Sequence, residues 1–290
     1  MYYSRNAVLC INYFVMLLCM GFSSPVIAIS TSKPVNFQDS PVGLYRKKDF
    51  EKDWGIKPNN ASGQPTGRLS IVTDPTQGKV LQVTYLAGQI GGDSGMVFTP
   101  TIQAPKGATD PRVKYRHLFF QYKVKFPHDF TWVKGGKLPG LTSSPYSPTG
   151  CISNTTFDGF SMRLMWRENG VVFSYVYNPD KKERCGDYYT FNPPITLARD
   201  TWYTITQEVY LNTPGGSDGY IKQWVDGTLV LDLQKINLRN ADTICIDQLK
   251  MDTFFGGGSY DWAPATDQHA YFANFMVSKT NPLSEKKDTK

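Results

Sequence analysis

The segment Lys134-Gly135-Gly136-Lys137-Leu138-Pro139-Gly140 sets two lysines three residues apart in a glycine-rich stretch. Ser161 and Arg163 follow, two apart, and then Tyr175 and Tyr177, also two apart. On a β-strand, residues two apart share a face, so each pair would present its groups together. The set offers ammonium, guanidinium, hydroxyl and phenol groups, and no carboxylate pair. It suits removal of a proton beside a carboxylate. Negative charge then develops on that carboxylate, where Lys or Arg stabilises it and bidentate Arg fits it best. A base must take the proton, and an acid must protonate the departing oxygen. Tyrosine does either if neighbouring cations lower its pKa from about 10. A lysine flanked by cations is the alternative base, because like charge favours its neutral form. This chemistry is elimination across an acidic polysaccharide rather than hydrolysis.

The elements that must position these groups read as β. Within Phe160–Arg167, the residues Ser161, Arg163 and Met165 point one way, while Phe160, Met162, Leu164 and Trp166 form the apolar face. Glu168-Asn169-Gly170 joins this run to Val171–Tyr177, and Asn-Gly between two such runs signals a hairpin. Phe173, Tyr175 and Tyr177 share a face there, so cross-strand pairing is expected to bring Arg163 and the tyrosines onto one patch. Further runs are Arg68–Thr73 and Lys79–Leu86, Gly95–Phe98, Leu118–Phe126, Trp202–Leu211, Gln248–Phe255 and His269–Ser278. Tyr220–Val225 and Thr228–Leu233 make a second hairpin through Asp226-Gly227. No helical period of convincing length and no repeat is found. The expected fold is all-β, an antiparallel β-sandwich of jelly-roll type with a concave substrate groove. Gly135–Thr149, rich in Gly, Pro and Ser, is expected to be a functional loop at the groove's edge.

Residues 1–28 read as a secretory signal: Arg5 supplies the positive end, Val8–Phe22 the apolar core, and Val26-Ile27-Ala28 the cleavage site. Residues 29–45 read as an extended lead-in, 46–280 as the β domain and 281–290 as a charged tail. The expectation is a secreted protein, monomeric, with no membrane association once the signal is removed. Cys10 and Cys19 fall in the signal. Of the remaining three, Cys151 and Cys185 lie in loop-like sequence flanking the chemically interesting strands and are the preferred disulfide. Cys245, between Ile244 and Ile246, reads as a buried thiol. Asn60 and Asn154 head N-glycosylation patterns. His117, His128 and His269 are isolated, so no metal and no cofactor is expected, and nothing fixes His128 beside Lys134. The net charge is +6, of which only Arg5 falls in residues 1–28. A mild positive charge attracts polyanions.

Lys134–Gly140, Phe160–Arg167, Leu211-Asn212-Thr213-Pro214-Gly215, Trp224-Val225-Asp226-Gly227 and Thr253-Phe254-Phe255-Gly256-Gly257 together resemble polysaccharide lyase family 14. That family includes alginate lyases of marine molluscs and glucuronate-polymer lyases of algal viruses. The resemblance implies a β-jelly roll and a metal-independent β-elimination that leaves an unsaturated uronate. It places the family's essential lysine on Lys137, its Ser-x-Arg pair on Ser161 and Arg163, and its Tyr-x-Tyr pair on Tyr175 and Tyr177. Leu141-Thr142-Ser143-Ser144 departs from the glycine-rich continuation the family leads one to expect, which bears on substrate preference. The expected substrate is mannuronate-rich alginate cut within the chain, with guluronate blocks and glucuronan as the alternatives. In this reading Arg163, helped by Lys137, neutralises the uronate carboxylate, and Tyr175 or Tyr177 exchanges protons with C5 and O4. Ser161 holds substrate or a tyrosine hydroxyl, and Lys137 is the alternative base. Lys134, Gln207 and Gln223 are the substrate-binding candidates, while Trp262 reads as a core residue.

Three rivals are weighed. A retaining glycoside hydrolase needs two carboxylates close together, and Glu168 and Glu208 stand alone. A non-catalytic lectin-like module for acidic glycans would use the same cations and aromatics. Nucleic-acid binding is disfavoured by the signal sequence and by the lack of a basic run on one element.

Overall fold

Strands that alternate apolar and polar residues need a second layer to cover the apolar face. The computed structural model describes residues 34–54, 63, 66–102, 115–153 and 158–284, and meets that need with two antiparallel sheets. The larger sheet runs β1 (Gly43–Leu44), β2 (Leu69–Asp74), β3 (Gly78–Tyr85), β14 (Gln268–Ser278), β4 (His117–Lys125), β9 (Tyr203–Tyr210), β10 (Gly219–Val225) and β11 (Thr228–Ile236). The smaller runs β12 (Cys245–Lys250), β5 (Gly136–Ser144), β6 (Ser161–Trp166), β7 (Val171–Tyr177) and β8 (Asp187–Thr196), with β13 (Phe254–Phe255) also on β5. This is the expected jelly-roll-type sandwich. The sequence features at residues 1–28, Asn60, Asn154 and 285–290 lie outside the described residues.

The apolar face of β6 fixes which groups face outward. Met162, Leu164 and Trp166 are fully buried between the sheets, and Trp166 packs on Tyr85, Phe126, Phe130 and Phe255. A one-residue slip would expose all three, at about 1.5–3 kcal/mol each. Ser161, Arg163 and Met165 therefore take the outer face, as the alternation predicts. β6 and β7 pair in the expected hairpin, with Arg163 opposite Tyr175 and Ser161 opposite Tyr177. Asp226 and Gly227 turn the second hairpin with φ of 49° and 82°.

Four expectations are corrected. Most of the stretch read as a loop is strand: Gly136–Ser144 is buried along its whole length between β6 and β12. Its glycines serve close packing instead of turning, since a Cβ at Gly136 would sit 2.2 Å from the Trp166 ring. Only residues 145–153 remain as a loop before the next undescribed residues. A helix, α1 (Lys47–Trp54), does form; it has two turns and is held by burial of Phe50 and Trp54 against Phe98 and Phe275. The run Gln248–Phe255 breaks into β12 and β13, and Gly95–Phe98 forms isolated bridging, with Met96 paired to Thr253, instead of a strand. β8 adds a strand that the sequence pattern does not signal, because Pro193 and Pro194 interrupt it.

Pro139 explains the shape of β5. The pairing register with β6 shifts between Leu138 and Leu141, around a residue that has no N–H to give. The Pro139 carbonyl turns inward and accepts from Tyr122 Oη at 3.3 Å and Gln207 Nε2 at 3.2 Å, both from the opposite sheet. Lys137 stands just before this bulge.

Candidate active site

Lys137 lies opposite Met165 on the neighbouring strand, two residues from Arg163 on one side and from Arg167 on the other. Its Nζ is 3.1 Å from Met165 Sδ and 4.6 Å from the centre of the Tyr175 ring. Arg163 lies over both tyrosine rings, at 5.5 and 5.6 Å. The two phenol oxygens are 3.2 Å apart. Five of the residues singled out by spacing thus form one strip on the outer face of the smaller sheet: Lys137, Ser161, Arg163, Tyr175 and Tyr177.

The strip is deep. Exposure falls from 9% at Lys137 and 5% at Tyr175 to 2% at Tyr177, 1% at Arg163 and 0% at Ser161. The loop 145–153 covers the last three. Ser161 Oγ donates to the Pro148 carbonyl at 2.6 Å, and Arg163 reaches Thr149 Oγ1 at 3.3 Å. Ser161 therefore anchors the covering loop, and its hydroxyl bonds there instead of to a tyrosine hydroxyl, the role expected of it. Lys137 and Tyr175 are the polar groups of the five that a ligand meets first.

Depth sets the protonation states. Burial lowers the Lys137 pKa well below the usual lysine value, and the Arg163 and Arg167 charges push it the same way; the Asp252 carboxylate opposes them. Burial raises the Tyr175 phenol above its usual value, and its hydrogen bond with Tyr177 adds to this, outweighing the Gly186 amide and Arg163. The expectation that cations would lower this tyrosine is thus overturned, because desolvation of the phenolate is the larger effect. The neutral form is favoured at both positions. A neutral lysine beside a protonated phenol is a base beside an acid.

Four groups that spacing did not reveal complete the strip. Asp252 accepts from Arg163 at 2.7 Å, and Lys250 Nζ lies 3.8 Å from its other oxygen. Arg163 and Asp252 are almost wholly buried, and burial lowers the Lys250 pKa too. At the other end Arg167 lies over the rings of Phe173, Tyr188 and Trp262, at 5.3 to 5.6 Å. Among the described residues its guanidinium makes no hydrogen bond or ion pair, so its donors are available to a carboxylate. Trp262 is half-buried against the outer cluster that Met165, Phe173, Tyr175 and Tyr177 form, so it lines the strip and not the core. Arg167 had a signal: it continues the Ser161, Arg163, Met165 alternation by one step.

The three substrate-binding candidates lie apart from the strip or at its margin. Gln207 and Gln223 face each other on β9 and β10, inside the sandwich. Gln207 supports the Pro139 bulge and cannot reach the outer face. Lys134 is half-exposed and ion-paired with Asp261, which ties the Gly256–Trp262 turn beside the lysine strand. The expected disulfide joins Cys151 to Cys185, and Cys245 is a buried thiol outside it.

The family model for polysaccharide lyase 14 matches residues 73–275. The fold is similar to alginate lyase Aly36B, with 24% identity over 88% of this chain and 99% of that one and a TM-score of 0.72. It is also similar to alginate lyase vAL-1 from Chlorella virus, with 25% identity over 73% of this chain and 89% of that one and a TM-score of 0.60. A third likeness is to the marine PL-14 alginate lyase from Aplysia kurodai, with 23% identity over 75% and 88% of the two chains and a TM-score of 0.58. Solved Aly36B structures include a variant lacking a lysine and a tyrosine in complex with an alginate tetrasaccharide, and one lacking a lysine and a methionine with a trisaccharide. No curated protein matches the chain. The matched region holds every strand from β3 to β13 and the whole strip between them, and on that match the chain belongs to the polysaccharide lyase 14 family and is a polysaccharide lyase.

Proposed function

We propose that this lyase cleaves mannuronate-rich alginate within the chain by metal-independent β-elimination, with Lys137 as base and Tyr175 as acid. The observation that carries the reading is the desolvated Lys137 amine set against the Tyr175 ring, with cations on either side. Neutral Lys137 takes the C5 proton. The released electron pair forms the C4–C5 double bond as the C4–O4 bond breaks, and the Tyr175 phenol gives its proton to O4. The Lys137 ammonium then returns a proton to the phenolate, restoring both groups. Arg163, covered by the loop 145–153 and paired with Asp252, helps keep Lys137 neutral, while Arg167 offers its donors to the uronate carboxylate on which charge grows. The alginate oligosaccharides held by Aly36B variants support alginate as the polymer.

The test is ultraviolet absorbance of the new conjugated double bond. Residues 29–290 would be incubated with mannuronate-rich alginate, guluronate-rich alginate and glucuronan, each with a chelator. Rising absorbance first and fastest on mannuronate blocks, with a rapid fall in viscosity, is the expected result. A faster rise on either other polymer reassigns the substrate, and flat traces on all three refute the reading. The proposed setting is extracellular, as a monomer. The Cys151–Cys185 disulfide supports an oxidising compartment, and secretion from expressing cells together with light scattering checks both points.

A further inference from the structure

The phenol oxygens of Tyr175 and Tyr177 each accept a hydrogen bond from a backbone amide. Gly186 N–H donates to Tyr175 at 3.0 Å, and Cys151 N–H donates to Tyr177 at 3.3 Å. These amides come from two different loops, and the Cys151–Cys185 disulfide joins those loops at these positions. Cys151 holds a left-handed backbone conformation, φ 61°, which is unfavourable for a non-glycine residue and persists where its surroundings impose it. Gly186 lies against both rings: a Cβ there would come within 2.8 Å of Tyr177 and 2.9 Å of Tyr175. Two loops are thus brought onto one pair of hydroxyls.

We propose that the Cys151–Cys185 disulfide is a positioning device for the tyrosine pair, fixing two amide donors where negative charge appears when the acid gives up its proton. This inference rests on the assignment of Tyr175 as the acid. Two phenols have two protons. One bridges the oxygens, and with Tyr177 as the bridging donor the Tyr175 proton is left to face the ligand. Once that proton has gone to O4, the Tyr175 phenolate accepts from Gly186 N–H and from the Tyr177 hydroxyl, while Cys151 N–H supports Tyr177 behind it. The arrangement does for the departing acid what an oxyanion hole does for a carbonyl. An N–H pointing at a phenol oxygen favours the phenolate, and so offsets part of the cost of forming it in a buried strip.

The experiment reduces the folded enzyme with dithiothreitol, which is oxidised to its cyclic disulfide as two cysteine thiols form, and then blocks those thiols with iodoacetamide. Circular dichroism confirms the fold. Two readouts follow: kcat and KM by double-bond absorbance, and amide hydrogen exchange at Cys151 and Gly186. The expected result is a folded protein whose kcat has fallen about tenfold or more, with KM changed far less and both amides exchanging faster. A kcat within about twofold of the oxidised enzyme overturns the proposal. Independently of activity, Tyr175→Phe in the oxidised protein should speed exchange at Gly186, and Tyr177→Phe should speed it at Cys151. Unchanged exchange in both variants also overturns the proposal. If oxidised wild type forms no double bonds, the lyase reading fails by itself, and the exchange measurements still decide whether the disulfide holds these amides on the phenols.

Discussion

Asp252→Ala is expected to destabilise the protein by about 3–5 kcal/mol, the range for removing one partner of a buried ion pair. The pair is buried on both sides: the side chains are 1% exposed for Arg163 and 4% for Asp252, and the bond between them is 2.7 Å. Two unit charges about 4 Å apart attract by about 4 kcal/mol at an effective dielectric of about 20, which agrees with that range. Lys250, 3.8 Å from the second carboxylate oxygen, would lose the same partner. Set against a total stability of about 5–15 kcal/mol, the variant should still fold but melt early. At about 2–4 °C per kcal/mol for a domain of this size, Tm should drop by about 6–20 °C. Asp252→Asn keeps the shape and an acceptor oxygen, so its loss should be smaller, about 1.5–3 kcal/mol. Thermal unfolding followed by near-ultraviolet circular dichroism reads both. The double variant Arg163→Met/Asp252→Leu should be more stable than Asp252→Ala, because it strands no guanidinium. A loss below about 1 kcal/mol for Asp252→Ala, as for an exposed ion pair, would refute the account of the strip as a dry site whose burial sets its protonation states.

Three further outcomes follow from the same geometry. Lys137→Met should lose activity by about 10²–10⁴-fold, the usual contribution of a positioned base, yet unfold at higher temperature, since it removes a buried amine. The folded state binds fewer protons at Lys137 than the unfolded state does, so wild-type stability rises with pH towards the ordinary lysine value of about 10.4. The advantage of Lys137→Met should therefore be largest below the lowered pKa and fade by that upper limit; an advantage independent of pH would contradict the assignment. Asp252 holds the Lys137 pKa up, so Asp252→Asn should move the rising limb of the pH–activity profile to lower pH, and a limb that stays in place would exclude Lys137 as its source. Arg167→Gln should raise KM about 10-fold or more through loss of charge-assisted bonds to a uronate carboxylate, with little change in kcat at pH above the rising limb; an unchanged KM on polymeric substrate would remove Arg167 from the binding surface.

The sequence carried the face of each strand and missed its depth. Ser161, Arg163, Tyr175 and Tyr177 were legible as one patch because alternation and an Asn-Gly turn fix the β6–β7 register locally. The strand holding Lys137 does not show in the sequence, because glycine and proline signal turns in most settings. Here Gly136 makes room for the Trp166 ring, and Pro139 sits in a bulge whose carbonyl is satisfied from the other sheet. Gln207 reads as a substrate ligand because it carries an amide on a central strand, and that reading does not tell the inner face of the strand from the outer one. Asp252 was beyond reach for another reason. It meets Arg163 across 89 residues of sequence, through a connection that the order of strands β12, β5 and β6 creates. Burial is also a property of the assembled sheet and its covering loop, and here it decides the chemistry. Cations near a tyrosine argue for a lowered phenol pKa if the site is wet. In this strip the same cations stand over a phenol that desolvation drives upward, while desolvation and Arg163 act together on Lys137. The base is assigned to lysine and the acid to tyrosine because the groups are deep, and depth is what residue spacing leaves out.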